Sequence, residues 1–143
     1  MVATLPPGNQ SDVEIPNPFT DCDTLADAAR EAGFALTAPE EANGAADRRI
    51  RVMDGKMVEV IYYSGEDETA RIRKAPGTED ISGDFNEYAQ NDTIAVGEVE
   101  VTMRGSDDMV CLATWTVDGY TYAVSVANGI SSGDMAALVS EIH

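Results

Sequence analysis

One catalytic pattern stands in the chain: Gly129-Ile130-Ser131-Ser132-Gly133 fits G-x-S-x-G and falls between an expected strand and an expected helix. A serine nucleophile needs a base, and the single histidine is the last residue, His143. Ser131 with Asp134 three positions on also forms a helix N-cap of capping-box type, and we adopt that reading. Cys22 and Cys111 match no CxxC or zinc spacing. Cys111 falls on the apolar face of an expected hairpin, as a small buried hydrophobe would. The alternative is a Cys22–Cys111 disulfide, whose long loop would contribute about 4 to 5 kcal/mol in a chain-entropy account. The carboxylates of Gly65-Glu66-Asp67-Glu68 and Asp107-Asp108 lack the EF-hand spacing and read as solvated turns. No metal site, cofactor or catalytic residue set is expected.

Two groups could instead bind. Trp115, Tyr120 and Tyr122 could form a stacking platform for sugar or peptide, although alternate positions in a strand pair fit a core face better. Residues 74–91, KAPGTEDISGDFNEYAQN, follow neither structural period. They read as a long loop whose Ile81, Phe85 and Tyr88 cover a core edge. Such loops are uncommon in compact domains and often carry function, so Ile81, Asp84, Phe85, Glu87 and Tyr88 are the candidate binding residues.

These side chains need a scaffold, and 143 residues with 43% hydrophobic content suffice for one domain with a core. Nine Lys and Arg against 26 Asp and Glu give a formal charge of −17, which repels nucleic acid and anionic lipid. No stretch approaches the roughly 18 apolar residues of a membrane span. MVATLPPGNQSDVEIP lacks the basic and apolar regions of an export signal, so direct membrane insertion of this chain is not expected. Residues 1–19 hold Pro6, Pro7, Pro16 and Pro18 among polar spacers, and read as an extended or disordered leader before a single domain over 20–143.

Within the domain, Thr24 is placed to cap a short helix that Gly33 closes, and Phe34 to Glu40 looks extended. A three-residue turn, Asp54 to Lys56, sets Ile50 by Val60, Val52 by Val58 and Arg51 by Glu59. The next hairpin puts Tyr62 by Ala70, Val60 by Ile72 and Glu59 by Arg73. Arg51, Glu59 and Arg73 then make a solvent-facing charge ladder contributing roughly 0.2 to 1 kcal/mol per pair. A Gly97-Glu98 turn suits type II′ and stacks Val96 on Val99 and Ile94 on Val101. A five-residue loop over 104–108 then lays Met103 by Met109 and Val101 by Cys111. Asp118-Gly119 makes the strongest hairpin signal, pairing Trp115 with Tyr122, Ala113 with Val124 and Cys111 with Val126. Met135, Leu138, Val139 and Ile142 give the last helix an apolar stripe. The expectation is an α+β domain: a twisted antiparallel meander of about seven strands, covered on one face by the N- and C-terminal helices.

In order, NPF-x-DCDTLADAAREAGF, IYYSG, RKAPGTEDISGDFNEYA, VEVTMRG, LATWTVDGYTYAVSV and GISSGDMAALVSEI resemble a family of extracytoplasmic bacterial domains of unknown function, over residues 17–143. Members form the C-terminal domain of anti-sigma-factor-like membrane proteins, or free-standing exported lipoproteins. The resemblance implies an exported or membrane-anchored full-length protein, with the export signal outside this chain, and it brings no catalytic residues. The expected function is a noncatalytic binding or sensing module with a protein or peptide partner at the cell envelope. The alternatives are a carboxylate-dependent enzyme acting on a glycan through Asp84 and Glu87, and a purely structural interaction domain.

Overall fold

Where the sequence alternates, the backbone is extended, and where small apolar residues recur at helical spacing it coils. The structure, a computed structural model, describes residues 20–42, 44–45, 47–53, 56–77 and 90–143. In chain order the elements are β1 (Thr20–Cys22), α1 (Leu25–Ala32), β2 (Asp47–Met53), β3 (Met57–Ser64), β4 (Asp67–Pro76), β5 (Gln90–Val96), β6 (Val99–Ser106), β7 (Met109–Val117), β8 (Tyr120–Ile130) and α2 (Ser132–Ser140). The eight strands form one antiparallel sheet, one more than expected, the extra strand being β1.

The order across the sheet is β1-β2-β3-β4-β8-β7-β6-β5. Two four-strand meanders therefore meet at the centre, where β4 pairs with β8 through Ala70 and Val126, Ile72 and Val124, and Lys74 and Tyr122. β1 and β5 are the two edges.

Both helices lie on the same face. Ala28 and Ala32 of α1 and Met135, Leu138 and Val139 of α2 join one buried cluster with Val58, Val60, Tyr62, Ile72, Trp115 and Val124 of the sheet. The caps are those the sequence implies: Thr24 accepts from the Asp27 N–H at 3.1 Å, Ser131 accepts from the Asp134 N–H at 3.1 Å, and Gly33 takes the left-handed conformation that ends α1. Residues 34–40 are irregular rather than a strand. They are tied beneath the sheet by paired backbone hydrogen bonds between Thr37 and His143, and by the Tyr62 hydroxyl donating to Pro39 O at 2.5 Å. No helix among the described residues is long and apolar enough to cross a membrane.

The expected registers of β2 on β3, β3 on β4 and β5 on β6 are those observed, including Arg51 opposite Glu59 and Ile94 opposite Val101. Between β6 and β7 the register differs: Met103 lies opposite Ala113, not Met109. The turn has two residues, Asp107 and Asp108, both in the left-handed region with φ of 54° and 63°, instead of five. A bulge at Arg104/Gly105 absorbs the difference. Only glycine fits there, since a Cβ on Gly105 would lie 1.8 Å from the Met109 carbonyl oxygen. A second bulge between Val110 and Leu112 breaks the Cys111–Val126 pairing and turns Val110 into the core in its place.

The disulfide alternative is corrected here. Cys22 and Cys111 are both free. They sit on β1 and β7, five strand spacings or ~24 Å apart across the sheet, whereas a disulfide holds its Cα atoms within about 7 Å. Two free thiols per chain are expected in denaturant without reductant, and a thiol-reactive chromophore counts them. Gly105→Ala is expected to cost about 3 kcal/mol of stability in a urea titration, through the backbone clash.

Candidate functional site

The loop residues singled out from sequence, Ile81, Asp84, Phe85, Glu87 and Tyr88, lie outside the described residues. Of the aromatic platform, Trp115 and Tyr122 are buried in the core and Tyr120 is half-buried against it. Trp115 is 5% exposed and stacks on Tyr122 with ring centroids 5.1 Å apart, and Tyr120 lies 5.2 Å from Phe34. Phe34, Tyr120 and Tyr122 surround Lys74, whose Nζ stands 4.6 Å from the Tyr120 centroid and 5.2 Å from that of Tyr122, and donates to Ala35 O at 2.7 Å. Burial pushes the Lys74 amine below the ordinary lysine range, although Tyr120 and Asp118 pull it back up. Alternation from Ala70 and Ile72 places Lys74 on the core face, a signal visible in the sequence but not drawn from it.

Neither Ser131 nor Cys22 is set up as a nucleophile. Ser131 is spent on its cap, and α2 stands between it and His143. Burial, then the charges of Glu31, Asp21 and Asp23, raise the Cys22 thiol above its ordinary value, which disfavours the reactive thiolate. Among the described residues no group of three or more His, Cys, Asp or Glu side chains is placed to hold a metal ion.

On the face opposite the helices, Glu59 is fully buried. The expected solvent-facing ladder is thus corrected to an interior one. Arg51 Nε donates to Glu59 Oε1 at 2.9 Å with its Nη2 on the same oxygen, Arg73 Nε donates to Oε2 at 2.6 Å, and Arg71 Nη1 stands 3.5 Å from Oε2. Ile61, Leu112, Thr121 and Ala123 of the same face are buried too, so this face is not a simple solvent side. Burial acts to raise the Glu59 pKa, but the hydrogen bonds from Arg51 and Arg73 and the charges of Arg73 and Arg71 outweigh it, and the net shift is downward. A carboxylate so held is an ionised strut joining β2, β3 and β4, unsuited to proton transfer at neutral pH.

The β5 edge around Thr93 and Ala95 is, among the described residues, a surface able to take a further strand. Among the described residues β5 pairs only with β6, and positions 91–95 are exposed. Gly97 has φ 64° and Glu98 does not share the left-handed conformation, so the β5–β6 turn is the expected type II′. Such a two-residue turn makes Val96 and Val99 a hydrogen-bonded pair, and alternation extends this to Ile94 with Val101 and Asp92 with Met103. The N–H and C=O groups of Thr93 and Ala95 consequently point away from the sheet.

A cleft flanks this edge on each side. On the helix side, about 480 Å³ is lined by Asp92, Ile94, Met103, Asp108, Met109 and Val110. Ile94 and Met109, 36% and 39% exposed, are the large apolar side chains that the described structure leaves in solvent. On the opposite side, about 670 Å³ is lined by Thr93, Thr102, Thr114, Arg104, Glu98 and Glu100. Gln90 fixes the start of the strand, donating to Asp108 Oδ1 at 3.2 Å and accepting from the Asp108 N–H at 2.9 Å. An extended chain laid along β5 would meet backbone partners in line and a different chemistry on either side. Sequence reading assigned β5 to the sheet but did not reveal it as an edge, because that depends on β8 pairing with β4.

No family model, curated protein or solved structure matches the chain.

Glu59→Gln is expected to cost about 3 kcal/mol at pH 7, because it removes the buried charge that three half-buried guanidinium groups face. Since the folded pKa of Glu59 lies below its unfolded value of about 4.3, its contribution is complete above that value and is lost as pH falls through the lowered one. Urea titrations between pH 7 and 3 should show the variant losing less stability with acid than the parent chain.

Proposed function

We propose that this chain is a noncatalytic binding or sensing module that engages a protein or peptide at the bacterial cell envelope. The observation that carries the reading is the β5 edge, which among the described residues pairs only with β6 and turns the backbone groups of Thr93 and Ala95 outward, with a cleft on either side. A sheet edge flanked by pockets binds extended chain by main-chain hydrogen bonding and selects it by alternate side chains. Its placement outside the cytoplasm, in an exported or membrane-anchored full-length protein, is supported by the resemblance of residues 17–143 to extracytoplasmic domains of unknown function. The formal charge of −17 adds a preference for a partner that is not anionic.

The test is photo-crosslinking in the native host, with a benzophenone side chain at Thr93 on β5, at Glu66 in the β3–β4 turn or at Glu31 on α1. The expected result is an adduct with one envelope protein from Thr93. Absence of adducts from all three positions, with the protein recovered in the cytoplasmic fraction, would overturn the reading. An adduct from Glu66 or Glu31 alone would keep a binding module and move its surface away from β5.

A further inference from the structure

We propose that β5 accepts, as a ninth strand, an extended basic segment of a partner protein in which apolar residues alternate with Lys or Arg. The proposal rests on the binding-module reading and adds the partner's chemistry and its mode of attachment.

The two edges of the sheet are treated differently. β1 has three residues, its Asp21 is held by two hydrogen bonds from Arg49 at 3.0 and 3.1 Å, and α1 follows it directly. β5 has seven residues with no proline, no lysine and no bulge against β6, and Asp92 is its one charge. Short strands, inward charges, lysines and prolines are the devices by which sheets prevent unwanted edge pairing. Their near-absence from β5 marks an edge kept available.

Side chains of an added strand point alternately to the two faces. Those on the helix side meet Ile94 and Met109 over a floor of Met103 and Val110, a surface that favours apolar groups. Those on the other side meet Thr93 and Thr102 in a cleft also lined by Glu98, Glu100 and Arg104, where two carboxylates against one guanidinium favour hydrogen-bonding cations. Asp92 and Asp108 stand at the helix-side mouth. The bias extends beyond the clefts: residues 90–143 contain eight carboxylates and a single basic side chain, Arg104. A second copy of the chain would bring the same carboxylates against themselves together with another charge of −17, so the complementary occupant is a cationic partner.

The probe is the acetylated, amidated peptide Lys-Val-Lys-Val-Lys-Val-Lys, titrated by calorimetry and by amide shifts of the labelled chain. Binding should shift the amides of residues 91–95, and the Glu-for-Lys peptide should bind at least about tenfold more weakly. Ala95→Pro removes an outward N–H without touching the β5–β6 ladder, so it should weaken binding about tenfold while leaving the melting temperature unchanged. Should that variant fail to fold, two peptides N-methylated along opposite edges decide the matter on the parent chain. One should bind as the unmodified peptide does and the other about tenfold more weakly.

No binding at about 1 mM peptide would overturn the proposal. Equal binding of both N-methylated peptides and of Ala95→Pro would also overturn it, by showing charge attraction without strand addition. Sedimentation showing a dimer that Ala95→Pro dissolves would overturn it in favour of a second copy. A Thr93 crosslink to an envelope protein combined with failure of these peptides would leave the binding-module reading standing and remove this partner chemistry alone.

Discussion

The pairing of β4 with β8 is the constraint on which the architecture depends. Each meander alone would expose a long unpaired strand at its inner side. Joined through Ala70 to Val126 and Pro76 to Tyr120, they share one continuous ladder and one core. That junction puts the two inner strands at the centre and makes β1 and β5 the edges, so a contact at the middle of the sheet decides which surface is left for partners. It also lets α1, following the first edge strand, and α2, following the last central one, cover the same face.

Local pairing was legible in the sequence to the extent that turn residues advertise themselves. Asp118-Gly119 and Gly97-Glu98 fixed their hairpins, and parity carried the rest of the register. Asp107-Asp108 did not, because two aspartates lack the glycine that usually signals a left-handed turn, and the bulges at Gly105 and Cys111 break parity through odd shifts of the register. The burial of Glu59 was hidden for a different reason. Alternation assigns it to the face away from the helices, but nothing local shows that Ile61, Leu112 and Ala123 on that face are also shielded. The β5 edge is a property of strand order, which no short-range pattern encodes. The candidate site was therefore less legible than the fold that presents it.

Charge is segregated along the chain in step with the meanders. Eight of the nine basic residues lie between positions 20 and 77, where Arg49 holds Asp21, Arg51 and Arg73 hold Glu59, and Lys74 is enclosed by aromatic rings. The first meander thus engages many of its cations internally. The second has almost none to engage, and its carboxylates shape the field around β5.

Trp115 is the single tryptophan, buried and stacked face to face on Tyr122, whose backbone pairs with Lys74 at the central junction. Its intrinsic fluorescence is therefore a one-site spectroscopic reporter placed by the fold next to the seam between the two meanders. An emission change on denaturation reads the loss of that seam directly, with no second indole to dilute the signal.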